Sequence, residues 1–203
     1  ERLLRESTTD FKTGLLNDRA FAERCRHEAS RASRQGQPVA VLVIDFDGFK
    51  ALNDAHGHEA GDKALAAFAR ALRANLRDFD AAARIGGDEF AVLLPETRLP
   101  IATVVAERVR AAAAALAIEH DGHRLALSIS IGVSDWDSLR GTSLEGVVAE
   151  ADQALLAAKN AGGGRVVARM AEAAAPAATA APAAPPLPAA QAKAHRHKPA
   201  RRA

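Results

Sequence analysis

The stretch Arg84-Ile85-Gly86-Gly87-Asp88-Glu89-Phe90-Ala91-Val92-Leu93-Leu94 places two glycines and two acidic residues between apolar segments. Apolar segments joined by a short glycine-containing turn predict a β-hairpin. The carboxylates of Asp88 and Glu89 would then lie at the tip of this hairpin, where they repel each other. A divalent cation between these carboxylates and a phosphate would explain the arrangement. Solvation of a strand end by ordinary surface charges is the alternative.

A second strand also ends in acidic residues. The continuous apolar run over residues 39–44 predicts a strand that is buried on both faces, and Asp45-Phe46-Asp47 follows it directly. Side chains two residues apart on a strand point the same way, so Asp45 and Asp47 share a face. If this strand and the hairpin are neighbours in one sheet, four carboxylates converge. Magnesium prefers such oxygen ligands, together with phosphate and water.

Together with further motifs, these residues resemble the GGDEF domain, the diguanylate cyclase family. The resemblance covers roughly residues 8 to 168 and consists of five blocks in the family's order. The blocks are 10–17 (DFKTGLLN), 45–54 with Gly57-His58 and Gly61-Asp62, 86–90 (GGDEF), 130–133 (SIGV) and 151–159.

The periodicity predicts an α+β fold. The predicted elements have the order β-α-β-β-α-β, a ferredoxin-like core, with an extra leading helix. We expect an antiparallel sheet with helices on one side, and the resemblance implies the same palm-like fold. The predicted strands are 39–45, a hairpin over 81–94, 125–131 and 165–168. The predicted helices are one after an Asn17 or Asp18 cap, 61–77, 99–117, and one that includes Val147, Val148, Ala151 and Leu155.

Composition divides the chain into three parts. Residues 1–9 are expected to end an N-terminal linker helix, residues 10–170 to form the GGDEF domain, and residues 171–203 to form a disordered tail. The tail is rich in Ala and Pro, then basic. It holds five of the 27 Lys and Arg residues and one of the 25 acidic residues, which leaves a net charge of −2 elsewhere. A nucleic-acid polymer is therefore not expected as a partner.

Cysteine content and hydropathy indicate the cellular compartment in which the protein is expected. The one cysteine, Cys25, excludes a disulfide framework and favours a reducing compartment. It is predicted to be a core residue. No apolar run approaches 18 residues, so no membrane contact is expected within this segment. We expect a cytoplasmic protein, or the cytoplasmic output domain of a longer, membrane-attached one.

The resemblance implies a reaction in which two GTP molecules form cyclic di-GMP and release two pyrophosphates within a homodimer. It implies Mg²⁺ as cofactor, with Mn²⁺ as the other option. Asp45, Asp88 and the backbone carbonyl of Phe46 would be the metal ligands. Glu89 would act as a ligand or base, and Lys159 would bind phosphate, so that Asp88, Glu89 and Lys159 form the catalytic set.

The resemblance also implies a substrate-binding set. Asn53 and Asp62 match guanine-contacting positions, and a carboxylate can accept hydrogen bonds from both guanine N1–H and N2–H₂. Without the resemblance, Asn53 would be interpreted as a loop cap and Asp62 as a helix N-cap. Residues Gly48, Phe49 and Lys50, in a short turn, would hold the β and γ phosphates with backbone N–H groups and an ammonium.

The chain departs from the family pattern at two positions. Gly163 stands where the family has a phosphate-holding arginine, and Arg165, two residues later, is the candidate replacement. Lys12 stands where the family has an apolar residue that lines the guanine pocket. Asp47 is expected to have a structural role, through hydrogen bonds at the strand end.

Two further features concern regulation and the competing functions. Arg77 and Asp80 form an Arg-x-x-Asp pattern with five residues before Gly86, which matches the family's inhibitory product site. The leading hypothesis is an active cyclase with product feedback inhibition. One alternative is a catalytically weak or inactive GGDEF domain that senses GTP or cyclic di-GMP. Another is a palm-type cyclase that makes a cyclic mononucleotide.

Overall fold

A computed structural model describes residues 8–136 and 144–170. The expected linker helix over 1–9 lies outside this part, apart from Thr8 and Thr9, and the expected tail over 171–203 lies wholly outside it. Thr9 forms an antiparallel bridge with Leu16. Among the described residues, no helix is both long enough and apolar enough to cross a membrane.

The described part of the chain contains eight strands and five helices. The strands are β1 (Leu16–Asn17), β2 (Val39–Phe46), β3 (Ala81–Arg84), β4 (Glu89–Pro95), β5 (Ile118–His120), β6 (His123–Leu125), β7 (Ile129–Trp136) and β8 (Val166–Met170). The helices are α1 (Asp18–Gln35), α2 (Phe49–His56), α3 (His58–Ala74), α4 (Leu99–Ala114) and α5 (Leu144–Asn160).

The six-stranded main sheet has the order β1-β3-β4-β2-β7-β8. The central strand β2 pairs antiparallel with both β4 and β7, whereas β1 and β8 pair parallel with β3 and β7. The predicted α+β palm fold is confirmed: β2, β3, β4 and β7 with the helices between them form the expected core, and α1 leads it. The sheet is mixed, however, because the two edge strands are parallel to their neighbours.

Helices cover both faces of the sheet, which corrects the expectation of helices on one side. Ala40, Leu42 and Ile44 of β2 belong to a core with α3 and α4. Val41 and Val43, on the opposite face, belong to a second core with α1 and α5. The continuous apolar run in β2 requires this arrangement, since each face needs an apolar cover.

Sequence periodicity misplaced or missed several elements. The predicted strand 125–131 is instead β6, an intervening segment and β7, which extends to Trp136 and is buried along its whole length. The hairpin of β5 and β6 was not predicted, and neither was α2. The helix predicted over 61–77 is α3, which begins at His58 and ends at Ala74.

The leading helix has the expected N-terminal cap. The side chain of Asn17 accepts a hydrogen bond from the backbone N–H of Ala20, which satisfies one of the first unpaired amides of α1. At the other end, Gly36 adopts the left-handed conformation that commonly ends helices. The Asn17 cap fixes the start of α1 immediately after β1, so the 10–17 segment is anchored beside the sheet.

Candidate active site

The ends of β2 and β4 bring acidic side chains together. Asp45 is the register partner of Glu89 on one side and of Ser130 on the other. Burial raises the pKa of Asp45, a bond from Lys159 opposes that rise, and the nearby carboxylates of Asp88 and Asp47 add to it. The pKa of Asp45 therefore lies above its usual value. Negative charge is thus concentrated at this edge of the sheet.

Lys159 supplies a compensating positive charge. Its ammonium, in the last turn of α5, forms a hydrogen-bonded ion pair with Oδ1 of Asp45. The Asp45 side chain is only 14% exposed, whereas that of Lys159 is 36% exposed. The lysine can therefore reach a ligand in solvent while it contacts the buried carboxylate.

The oxygen donors at this edge fit a hard divalent cation. Within 8–136 and 144–170, no group of three or more His, Cys, Asp and Glu side chains could hold a metal ion. The predicted set is smaller, because it consists of two carboxylates, Asp45 and Asp88, and the backbone carbonyl of Phe46. Two carboxylates with phosphate and water are usual for Mg²⁺. The pKa of Asp45 is raised mainly by burial, and the nearby carboxylates of Asp88 and Asp47 add to the rise, as expected where acidic groups meet at one site.

Aromatic packing holds the end of β2 in place. The ring of Phe46 packs edge-on against Phe49 and Phe68, with centroid distances of 5.4 and 5.2 Å. It stacks on Phe90 at 5.8 Å. Phe90 follows Glu89 in β4, so one buried cluster fixes the two acidic strand ends relative to each other. The sequence did not reveal this role for the Phe46 side chain.

Asp47 is occupied by internal hydrogen bonds. Its carboxylate accepts from the Ser128 hydroxyl at 2.6 Å, from the Ser130 hydroxyl at 2.7 Å and from the backbone N–H of Gly164 at 2.8 Å. Its own backbone N–H donates to the Ser128 carbonyl at 2.9 Å. These bonds connect the end of β2 to β7 and to the glycine turn after α5. The expected structural role agrees with this geometry, and the two serines were not predicted.

The glycine turn explains why position 163 carries no side chain. Gly163 has a φ of +72°, and a Cβ placed there would lie 2.8 Å from Oδ1 of Asp47. Any larger residue would be strained and would press on that carboxylate. The Arg165 side chain turns back along this loop, since its Nε donates to the Gly163 carbonyl at 3.1 Å.

Asn53 and Asp62 lie inside helices and are not caps, which corrects the alternative interpretations of both. Asn53 is within α2 and Asp62 is within α3. The buried Oδ1 of Asn53 has no hydrogen-bond partner among the described residues. A Cβ at Gly61 would lie 2.0 Å from that atom, so only glycine permits this approach. A buried acceptor without a partner is costly, and a ligand that donates a hydrogen bond would satisfy it.

Lys12 contacts the neighbouring carboxylate directly. Its Nζ lies 2.5 Å from Oδ1 of Asp62 and 5.9 Å from the centroid of the Phe11 ring. The structure therefore brings the 10–17 segment to the same place as Asn53 and Asp62. The sequence named Lys12 as a departure but did not predict this ion pair.

Gly48, Phe49 and Lys50 begin a helix, whereas the sequence placed all three in a short turn. Gly48 is the N-cap of α2 with a φ of +71°, and Phe49 is its first residue. No side chain caps this helix end. The first backbone N–H groups of α2 and the positive end of its dipole therefore lie directly after the acidic end of β2. A helix N-terminus of this kind favours the binding of an anion. The Lys50 side chain is exposed at the same end.

Arg77 and Asp80 lie together at the other end of the domain. The backbone N–H of Arg77 donates to Oδ2 of Asp80 at 2.8 Å, while the buried Oδ1 has no partner within the described chain. Burial raises the pKa of Asp80, although Arg77 and Arg108 oppose the rise. Both residues line a cleft of about 610 Å³ that Arg24 and Arg73 also line. Three arginines thus line the cleft together with the carboxylates of Asp78 and Asp80.

A partly buried contact that the sequence did not predict joins the hairpin to the 10–17 segment. Arg84 bonds the Asp10 carboxylate at 3.2 Å and the Gly87 carbonyl at 2.6 Å. The pKa of Asp10 is lowered: burial raises it, but bonds from Thr13 and the Arg84 charge outweigh burial. Arg84 therefore positions the turn that carries Asp88.

The chain is similar to one family of known proteins both in sequence and in fold. The family described as "Diguanylate cyclase, GGDEF domain" matches residues 7–165. Diguanylate cyclase DgcP of Pseudomonas aeruginosa is 42% identical over 161 residues, which make up 79% of this chain and 24% of that protein. The chain thus spans about a quarter of this relative's length.

Solved structures share the fold. Diguanylate cyclase SiaD of Pseudomonas aeruginosa, in complex with its activator SiaC, has a TM-score of 0.77 and 40% identity, with 83% of this chain and 64% of that chain covered. The coiled coil and GGDEF domain of DgcB from Caulobacter crescentus, in complex with c-di-GMP, has a TM-score of 0.78 and 29% identity. That match covers 83% of this chain and 88% of the other.

Proposed function

The chain belongs to the GGDEF domain family of diguanylate cyclases, and from this we propose that it condenses two GTP molecules into cyclic di-GMP with release of two pyrophosphates. The observation that carries the proposal is the convergence of Asp45 and Asp88, since the carboxylate of Asp88 is close enough to raise the pKa of Asp45. Lys159 at the same point supplies a positive charge for phosphate. The proposed location is the cytoplasm, since the reaction consumes GTP.

The proposed metal ligands are Asp45, Asp88 and the Phe46 carbonyl. When bound there, Mg²⁺ or Mn²⁺ would neutralise phosphate charge and polarise the α-phosphate. Glu89, the register partner of Asp45, would serve as a further ligand or as a base for the attacking 3′-hydroxyl. The reaction requires little covalent chemistry from the protein, so catalysis depends on the positioning of the substrates and on electrostatic stabilisation.

The proposed substrate contacts form two groups, one for the base and one for the phosphates. Asn53 and Asp62 would read guanine, because the buried Oδ1 of Asn53 needs a donor and a carboxylate can accept two. The backbone amides at the start of α2 and the Lys50 ammonium would hold the outer phosphates. Lys159 and Arg165 would also contact phosphate, since Arg165 folds back along the glycine turn.

The proposed reaction requires two copies of the chain. Each 3′-hydroxyl attacks the α-phosphorus of the other nucleotide, and each copy binds one GTP. Two active sites must therefore face each other in a homodimer during catalysis. The rate per protein molecule should rise with protein concentration until the dimer is saturated.

Product feedback inhibition is part of the proposal. Cyclic di-GMP carries two phosphates and two guanine edges, which arginine forks and a carboxylate can recognise. The cleft at Arg77 and Asp80 offers such groups, with Arg24 and Arg73 beside them. The cyclic di-GMP complex of the DgcB domain supports a product site on this fold.

A sensor without turnover is the second candidate, and the two departures favour it. Gly163 lacks an arginine side chain, and Lys12 already occupies Asp62. Incubation with GTP and Mg²⁺ or Mn²⁺, followed by mass analysis of the products, separates the candidates. Cyclic di-GMP would support the cyclase, bound GTP without product would favour the sensor, and a cyclic mononucleotide would contradict both.

A further inference from the structure

Lys12 and Asp62 form an ion pair that a ligand can reach. The Lys12 ammonium is 2.5 Å from Oδ1 of Asp62, and the two side chains are 34% and 46% exposed. Among the described residues, the Asp62 side chain accepts no hydrogen bond other than this one. The centroid of the Phe11 ring, which is 89% exposed, lies 5.9 Å from the ammonium. The pair is therefore held in place but not enclosed.

A second, independent observation points to a ligand here. The buried Oδ1 of Asn53 has no partner among the described residues, and it lies against Gly61, the residue before Asp62. The cost of an unpaired buried acceptor is relieved only when a donor arrives. The unpaired amide oxygen therefore contacts the residue of α3 that directly precedes Asp62.

The chemistry of the pair complements the edge of guanine. Guanine presents the O6 acceptor, then the N1–H and N2–H₂ donors, in one row. An ammonium beside a carboxylate presents a donor, then two acceptor oxygens. Lys12 has three N–H donors and spends one on Asp62, so it can also donate to O6. Adenine would place its N6–H₂ donor against the ammonium and its N1 acceptor against the carboxylate, and both contacts are repulsive.

We propose that Lys12 is a specificity-determining residue that donates a hydrogen bond to O6 of guanine while it holds Asp62 in position for N1–H and N2–H₂. The inference rests on the proposed function, because it concerns the same nucleotide site. In this proposal, Lys12 improves recognition of the base compared with the apolar residue that the family has at this position.

The test is the binding of nucleotides that lack the 3′-hydroxyl, which the condensation requires, so that no turnover occurs. The 3′-deoxy triphosphates of guanosine, 6-thioguanosine and inosine are titrated with Mg²⁺ into the full chain. The thio form changes only O6, whereas the inosine form lacks only the N2 amino group. The variants are Lys12→Met, Lys12→Arg and, as a matched control, Lys63→Met. Lys63 is one residue from Asp62, but its ammonium contacts Nδ1 of His120 at 3.0 Å.

The wild type and Lys63→Met should bind the guanosine form roughly tenfold more tightly than the thio form. A hydrogen bond from a charged donor to O6 accounts for a preference of this size. Lys12→Met should lose this preference, while Lys12→Arg should retain most of it. The preference for guanosine over inosine should fall less in Lys12→Met than the preference over the thio form, because Asp62 remains although the ammonium no longer holds it.

Three results would overturn the inference. Equal or tighter guanosine binding by Lys12→Met would show that Lys12 blocks the site. An equal loss for all three nucleotides would show general attraction of the triphosphate. An unchanged preference would show no contact with O6. These results are distinct from failure of the proposed function, which is absence of cyclic di-GMP from a protein that still binds GTP. Absence of any guanosine binding would contradict both.

Discussion

The ammonium of Lys159, at the end of α5, pairs with the carboxylate of Asp45, at the end of β2, across 114 residues of sequence. Asp88 lies close enough to repel the same carboxylate but has no part in this ion pair. The pair therefore holds two elements together independently of Asp88. The fold and the proposed chemistry can thus be separated by changing Asp88 alone.

Asp88→Ala should abolish turnover without weakening the fold. The substitution removes a proposed metal ligand, so the rate should fall by at least roughly 10³-fold, about 4 kcal/mol of barrier. It also removes a like charge from the neighbourhood of Asp45, so the free energy of unfolding should not decrease. Initial rates and urea denaturation measure the two quantities. Asp121→Asn, at an exposed turn, is the control, and an active Asp88→Ala enzyme would refute the metal role.

Asp47→Ala should destabilise the protein. The change leaves the Ser128 and Ser130 hydroxyls and the Gly164 amide without their acceptor. Bonds to a charged group contribute more than neutral ones, and we expect a loss of about 2–3 kcal/mol in the free energy of unfolding. Urea denaturation of this variant and of Asp54→Ala, on the exposed side of α2, gives the comparison. Equal stability of the two variants would mean that Asp47 has no structural role.

Arg77→Ala should relieve product inhibition. The substitution removes a guanidinium from the cleft that Asp80 borders, so cyclic di-GMP should bind there at least roughly tenfold more weakly. The measurement is the ratio of initial rates with and without added cyclic di-GMP. Arg70→Ala, on the exposed side of α3, is the matched loss of an arginine. If inhibition is the same in both variants, the product site lies elsewhere.

The stability should depend on Cys25 at alkaline pH. Burial raises the pKa of its thiol from 9.0 to about 12, so above pH 9 the folded state binds more protons than the unfolded state. The free energy of unfolding must then fall as the pH rises, by up to about 1.4 kcal/mol per pH unit. Between about pH 9 and pH 10.5, the wild type should lose about 1.6 kcal/mol more than Cys25→Ala, because the slope is only half its full value at pH 9. Urea titrations check this, and parallel losses would mean that the thiol ionises normally.

The sequence predicted the parts of the fold that have strong local signals. The apolar run of β2 and the glycine turn of the hairpin are both of this kind. The helix α2 was missed because it has only eight residues and none of them is fully buried, so its apolar spacing is limited to Phe49 and Leu52, which pack on the core. The position of helices on both faces follows from β2, but the order of elements alone did not reveal it.

The candidate site was predictable where strand ends carry charge and not where distant segments meet. Asp45 lies at the end of the apolar strand β2 and Asp88 directly precedes the apolar strand β4, so their meeting could be expected once the two strands were neighbours. The hydrogen bonds of Asp47 join residues 81 and 83 positions apart, and the Lys12 to Asp62 pair spans 50. No local pattern encodes such contacts, because only the packed sheet and helices create them.

The most direct test of the central claim is a crystal structure with Mn²⁺ and the 3′-deoxy form of GTP, in which anomalous scattering locates the metal. The account predicts an anomalous peak between the carboxylates of Asp45 and Asp88, beside the nucleotide phosphates, with guanine against Asn53 and Asp62. A peak away from these two carboxylates, or a nucleotide bound elsewhere, would contradict it.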